Sequence, residues 1–129
     1  MFICPNQETA AKLGTSLALA CRAHQELLLF RQGKTGLESG EVFSLAAAPV
    51  LFTLAGRPDL LAAVQRHQTD LSMLDYRGLA EAVAAGPGLE RTQQLCSEYV
   101  ETSLVRLAQF RENEAAEAIR KIALSILEE

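Results

Sequence analysis

The chain has no tryptophan, 5% aromatic residues and three cysteines, and each shortage narrows what it can be. Cys4, Cys21 and Cys96 are odd in number and scattered, so they provide neither a disulfide framework nor a CxxC pair and point to a reducing compartment. Cations are outnumbered: twelve Lys and Arg face sixteen Asp and Glu for a net charge of −4. They form no basic cluster, which argues against a nucleic-acid groove. No apolar run reaches the roughly 18 uninterrupted residues expected of a spanning helix. The N-terminal stretch MFICPNQETA lacks a leading positive charge and a long apolar core. It does not read as a signal peptide, and it lacks the arginine of a mitochondrial transit peptide.

What is abundant is leucine and alanine, within a hydrophobic fraction of 49%, a composition suited to helices. At 129 residues the chain is one domain or part of one, able to bury roughly two-thirds of the surface its unfolded form exposes. Asn6 or Thr9 is placed to cap a first helix reaching Gln32, ended by the turn Gly33-Lys34-Thr35-Gly36. A second helix is expected over Glu41–Ala55, bent or split at Pro49 and closed by Gly56-Arg57-Pro58. Asp59 opens a third, through about residue 71. Asp75 caps a fourth that stops at Gly86-Pro87-Gly88. A fifth, about Leu89–Phe110, repeats apolar or small residues at Leu89, Leu95 or Cys96, Tyr99 or Val100, Ser103 and Leu107. A sixth, Glu114–Glu128, aligns Ala115, Ala118, Ile119, Ile122 and Ile126. No polar and apolar alternation is long enough for a strand, so the expected fold is an all-α helical bundle.

The first helix carries the most information. Its stretch 17-LALACRAHQELLLF-30 is interrupted only by Arg22, His24, Gln25 and Glu26. At 100° per residue, Leu13, Leu17, Ala20, Cys21, His24 and Leu28 share one face, and Arg22, Gln25, Glu26 and Leu29 gather opposite. A helix apolar nearly all round is expected to be central, with neighbours on several sides. The polar group must then face a cavity, a partner or a hydrogen-bonded network, because an unpaired buried charge is costly. Glu26 is expected to be satisfied by Arg22 or by a neighbouring helix, the alternative being a metal ligand. Cys21 and His24, at i and i+3, have the chemistry for a shared metal or a thiol–imidazole pair, but with no third ligand near them they read as core. His67 is expected to face solvent, and Glu128-Glu129 to form a solvated end.

The same stretch resembles the isoprenoid (trans-polyprenyl) diphosphate synthases. Members carry L-G-x-A-F-Q-x-x-D-D-x-x-D in a central helix, then a turn beginning Gly-Lys. Here the sequence runs from Leu17 to Leu29 as LALACRAHQELLL, followed by Gly33-Lys34. The leucine and small-residue framework matches without a gap, but Gln25, Glu26 and Leu29 stand where the family has three aspartates. Carboxylates at i, i+1 and i+4 project from one side of a helix, and such oxygens hold the Mg²⁺ ions that bridge to a substrate diphosphate. The neighbourhood where the family presents a basic residue to diphosphate reads Ser39-Gly40-Glu41-Val42. Three further stretches resemble the C-terminal half of the smaller, non-catalytic subunits of eukaryotic decaprenyl diphosphate synthases. They are 43-FSLAAAPVL-51, Leu74-Asp75-Tyr76, and the Ala-Gly-Pro-Gly turn with Leu95-Cys96 beyond it. The resemblance runs from about Thr9 to the end, and the family's first aspartate-rich motif is not in the chain.

The resemblance implies the C-terminal half of an isoprenoid synthase-type fold, as a single partial or complete domain over 1–129 without an internal linker. It implies a chain that is not an enzyme by itself and holds no metal or catalytic residue of its own. Mg²⁺ would sit in a catalytic polyprenyl diphosphate synthase subunit, the partner in a hetero-oligomer. The implied role is regulatory or stabilising, in making the side chain of ubiquinone in mitochondria. Leu17, His24 and Leu28 would form a packing or partner-facing surface. The alternative is a stand-alone helical module that binds a hydrophobic isoprenoid ligand or a protein. An active prenyltransferase is disfavoured by the composition of positions 25, 26 and 29.

Overall fold

The computed structural model describes residues 4–32, 42–110 and 112–127. Among them the chain is all-α, with no strand. Helix α1 spans Cys4–Arg31, α2 Ala48–Gly56, α3 Pro58–Arg66, α4 Tyr76–Ala85, α5 Gly88–Leu107 and α6 Glu114–Leu127, with a 3-10 turn at Leu71–Met73. No helix among the described residues is long and apolar enough to cross a membrane. The chain divides into two compact units, Met1–His24 with Gln94–Glu129, and Gln25–Gln93.

Sequence punctuation accounts for several helix ends, but α1 is already helical at Cys4, ahead of both expected caps, Asn6 and Thr9. Helix α2 begins at Ala48 rather than at position 41, with Pro49 in its first turn. Proline has no N–H to give and disfavours helical geometry in the residue before it, so it starts this helix instead of bending one already under way. Helix α3 ends at Arg66, not near 71. Asp70 accepts hydrogen bonds from the Ser72 N–H and hydroxyl at 3.2 and 2.5 Å, a local alternative that competes with helical bonding. Asp75 caps α4 as its position implies, accepting the Gly78 N–H at 3.0 Å, and Gly86 follows the last helical residue.

In the first unit, α1 and α5 run antiparallel, with contacts in a regular order. Arg106 Nη1 donates to the Lys12 carbonyl at 2.6 Å, Ser16 and Ser103 share a hydroxyl–hydroxyl bond at 2.8 Å, and the Cys96 thiol reaches the Ala20 carbonyl at 4.0 Å. Small residues at 16, 20, 96 and 103 let the two backbones approach, and the buried hydroxyls satisfy one another and the Leu13 and Tyr99 carbonyls. Of the paired choices along α5, the buried members are Cys96 and Val100, in line with Ser103 and Leu107. Val100 packs with Ala20, Ala123 and Ile126, while Leu13, Leu107 and Ala116 form a second cluster. The buried side of α6 is therefore Ala116, Ala123 and Ile126. The expected stripe is rotated: Ala115 and Ala118 are exposed, and Ile122 is 52% exposed.

The second unit brings three of its four aromatic residues together. Phe30 meets Phe43 edge-on with centroids 5.1 Å apart, and Phe43 meets Tyr76 in the same way at 5.4 Å, the favoured geometry for ring quadrupoles. Val50, Leu54, Leu74, Leu79 and Val83 complete this core. At Gly88 the chain passes so close to α2 that a Cβ would lie 2.5 Å from Thr53 Oγ1 and 2.8 Å from the Pro49 carbonyl oxygen.

Candidate functional site

Helix α2 opens with a shortage of caps. Its N-cap residue is Ala47, which offers no side-chain acceptor, and Pro49 lacks an N–H. The Ala48 N–H is instead taken by Glu26, whose Oε1 accepts it at 2.9 Å. Glu26 is half-buried and thus brings a carboxylate to a helix N-terminus, where orphan donors and the helix dipole both favour negative charge. Its satisfaction by a neighbouring helix matches the plainer of the two readings of that residue.

Gln25 and Leu29, the other two positions singled out by the sequence resemblance, lie differently. Gln25 is exposed, and Leu29 is 42% exposed and has no donor atom for a metal. Mg²⁺ requires several oxygen ligands near octahedral geometry. One amide, one carboxylate engaged with a backbone amide, and one hydrocarbon side chain do not fit that requirement. Among the described residues, no three His, Cys, Asp or Glu side chains group as a metal site. Cys21 and His24 are half-buried rather than fully enclosed.

Helix α1 is not packed on all sides, contrary to its composition. Its buried line is Leu13, Ser16, Ala20, Ala23, Leu27 and Phe30, spaced by three and four residues, and Leu19 and Leu29 stand 42% exposed. Leu17, His24 and Leu28 are each half-buried, beside that line instead of at its centre. Leu17 packs against the Ala20 and Val100 cluster. His67, expected in solvent, is half-buried as the C-cap of α3. The Gly33-Lys34 turn, Ser39-Gly40-Glu41 and Glu128-Glu129 lie outside the described residues. Val42 is exposed.

A feature that the motif reading passed over is an apolar cleft of about 460 Å³ in the first unit. Ala10, Leu13, Gly14 and Leu17 of α1 form one wall, and Ala115, Ala116 and Ile119 of α6 another, with Leu107 and Phe110 between. Among the described residues Asn113 supplies the one polar side chain, and its Oδ1 caps the Ala116 N–H at 2.8 Å. The sequence signal was Gly14 in mid-helix. Among the described residues, an added Cβ there would meet nothing within 4 Å.

Exposed charges elsewhere form small clusters. Arg57 grips Asp59 through two hydrogen bonds at 3.0 and 2.9 Å, which hold the Asp59 carboxyl below the usual carboxylate range. Arg120 does the same for Glu112 and also bonds Glu117. These are surface ion pairs of modest effect.

No family model matches the chain, and neither a curated protein nor a solved structure does.

Proposed function

We propose that this chain is a non-catalytic helical subunit that stabilises a catalytic all-trans polyprenyl diphosphate synthase, in an assembly making the ubiquinone side chain in mitochondria. The sequence resemblance suggests the partner, and the engagement of Glu26 carries the non-catalytic part of the reading. Where a synthase needs three carboxylates to hold Mg²⁺ against a diphosphate, this helix retains one, and that one closes the N-terminus of α2. Metal and substrate diphosphate then belong to the partner, and this chain contributes helical surface. The exposed Leu19 and Leu29 on α1 support a role in contact, since apolar side chains left in water favour association.

Co-expression with a catalytic synthase subunit, followed by affinity capture on this chain, tests the proposal. The expected result is a stoichiometric complex with greater soluble yield of both chains and an elongation rate above that of the catalytic subunit alone. Absence of co-purification, with the catalytic subunit equally active alone, would remove the proposal.

A further inference from the structure

We propose that the outward face of helix α6 pairs antiparallel with the same face of a second copy of this chain, about a two-fold axis at Ala118. This does not rest on the synthase reading and stands or falls separately from it.

The face is the part of the α6 apolar pattern that its own chain leaves in water. Ala116, Ala123 and Ile126 are buried, yet Ala115, Ala118 and Ser125 are exposed and Ile122 is 52% exposed. These four residues follow one another at intervals of three and four, so they form a second line along the helix beside the buried one. Two such lines on one helix are the pattern of an element covered from two sides. Ser125 does not interrupt the line: its hydroxyl donates to the Ile122 carbonyl at 2.6 Å, so no donor is orphaned when water is excluded. Ala115 also lines the apolar cleft beside α1, which extends the uncovered apolar surface past the helix itself.

Charge identifies the occupant. Glu114 and Lys121 lie two turns apart on the same margin of this line. Both are exposed, and neither has an ion pair among the described residues. In an antiparallel pair centred on Ala118, each Glu114 faces Lys121 of the other copy, and Ala115 faces Ile122, small against large. A parallel pair would set Glu114 against Glu114 and Lys121 against Lys121. Such self-complementarity, in which one residue meets another and the second meets the first, is what a two-fold interface requires. Glu117, the other acid on that margin, is held by its own Arg120 at 2.8 Å.

Size sets the strength. Helix α6 has 14 residues, which make a strip about 21 Å long and about 10–12 Å wide. A shallow hollow of about 440 Å³ among Glu114, Glu117, Ala118 and Lys121 leaves room there for side chains of the second copy. One helix pair of this length falls below the roughly 1,200–2,000 Å² of stable interfaces. The expected dimer is therefore weak, with a Kd of about 10–100 μM.

Sedimentation equilibrium of the full chain, from about 5 μM to about 1 mM, should show a monomer–dimer equilibrium. Lys121→Glu and Glu114→Lys should each weaken it at least about tenfold, because both facing pairs turn from attraction to repulsion. Mixed in equal amounts, the two variants should pair within about threefold of the parent affinity. Every facing pair is then opposite in charge, a repair that damage to folding would not show. On oxidation, Ala118→Cys should give a disulfide-linked dimer and Ala115→Cys none beyond the parent, since position 118 meets itself on the axis and position 115 does not. A chain still monomeric at about 1 mM, a dimer indifferent to Lys121→Glu, a mixture no better than its components, or a cross-link at position 115 overturns the proposal. So does a chain that is monomeric alone and binds a catalytic synthase subunit through Ile122, because the face would then belong to a different partner.

Discussion

Replacing Glu26 with alanine removes the acceptor that holds the Ala48 N–H, and Ala47 cannot take its place. Loss of a helix cap costs about 0.5–2 kcal/mol, and a hydrogen bond to a charged group contributes about 1.5–3 kcal/mol. Because Glu26 is half-buried, water replaces part of what is lost, and we take about 1–2 kcal/mol as the expected cost. Glu26→Gln keeps an oxygen acceptor at nearly the same place and forfeits only the charge against the helix dipole, about 0.3–1 kcal/mol. With an unfolding entropy of about 2.1 cal/mol/K per residue, a 129-residue chain melting as one unit loses about 4 °C of Tm per kcal/mol. The alanine variant should therefore fall by about 4–8 °C and the glutamine variant by about 1–4 °C. Amide exchange gives the local readout: Ala48 protection should drop by about five- to thirtyfold in Glu26→Ala, and by no more than about fivefold in Glu26→Gln. Ala48 exchange that is indifferent to Glu26→Ala would refute the capping role, whatever happened to Tm.

Leu27, fully buried, and Leu29, 42% exposed, should separate in a denaturant titration, with Leu27→Ala costing about 2–5 kcal/mol and Leu29→Ala within about 0.5 kcal/mol of the parent. Gly88→Ala would press a methyl group against Thr53 and the Pro49 carbonyl and should cost about 1–3 kcal/mol, seen as a lower urea midpoint. The Ser72 hydroxyl and N–H hold the Asp70 carboxyl below the ordinary carboxylate range. Its small stabilising contribution is present above the unfolded-state pKa and is lost as pH falls through the depressed folded value. In an NMR titration, Ser72→Ala should move the Asp70 midpoint upward, and an unmoved midpoint would contradict that cause.

The helical character was legible because apolar residues recur at helical spacing and because Asp75, Gly86 and Pro58 punctuate the chain. Pro49 was legible as a disturbance, but whether it bends a helix or begins one depends on the residues around it. Here Glu26, 22 positions away, supplies the cap that allows a start at Ala48. Such a long-range partner has no signature in local periodicity. The stripe of α6 was misplaced for a related reason: with apolar residues over more than half its circumference, the pattern cannot say which part is covered, and Ala116 and Ala123 won over Ala115 and Ala118. In the candidate site, the lack of ligand atoms at Leu29 is a property of the residue itself, so the sequence alone states it. The destination of the Glu26 carboxylate is a property of packing. The cleft was hidden because its lining comes from distant segments, with Gly14 its one local trace.

The claim at the centre of this account is that Glu26 serves helix α2 and takes no part in metal-assisted elongation. It is tested most directly by the elongation rate of the complex between a catalytic synthase subunit and this chain, carrying either Glu26 or Glu26→Gln, with an allylic diphosphate, isopentenyl diphosphate and Mg²⁺. The account predicts equal rates for the two complexes at equal occupancy, and no elongated product from this chain alone. Loss of elongation in the Glu26→Gln complex, with the complex itself intact by size-exclusion chromatography, would contradict it.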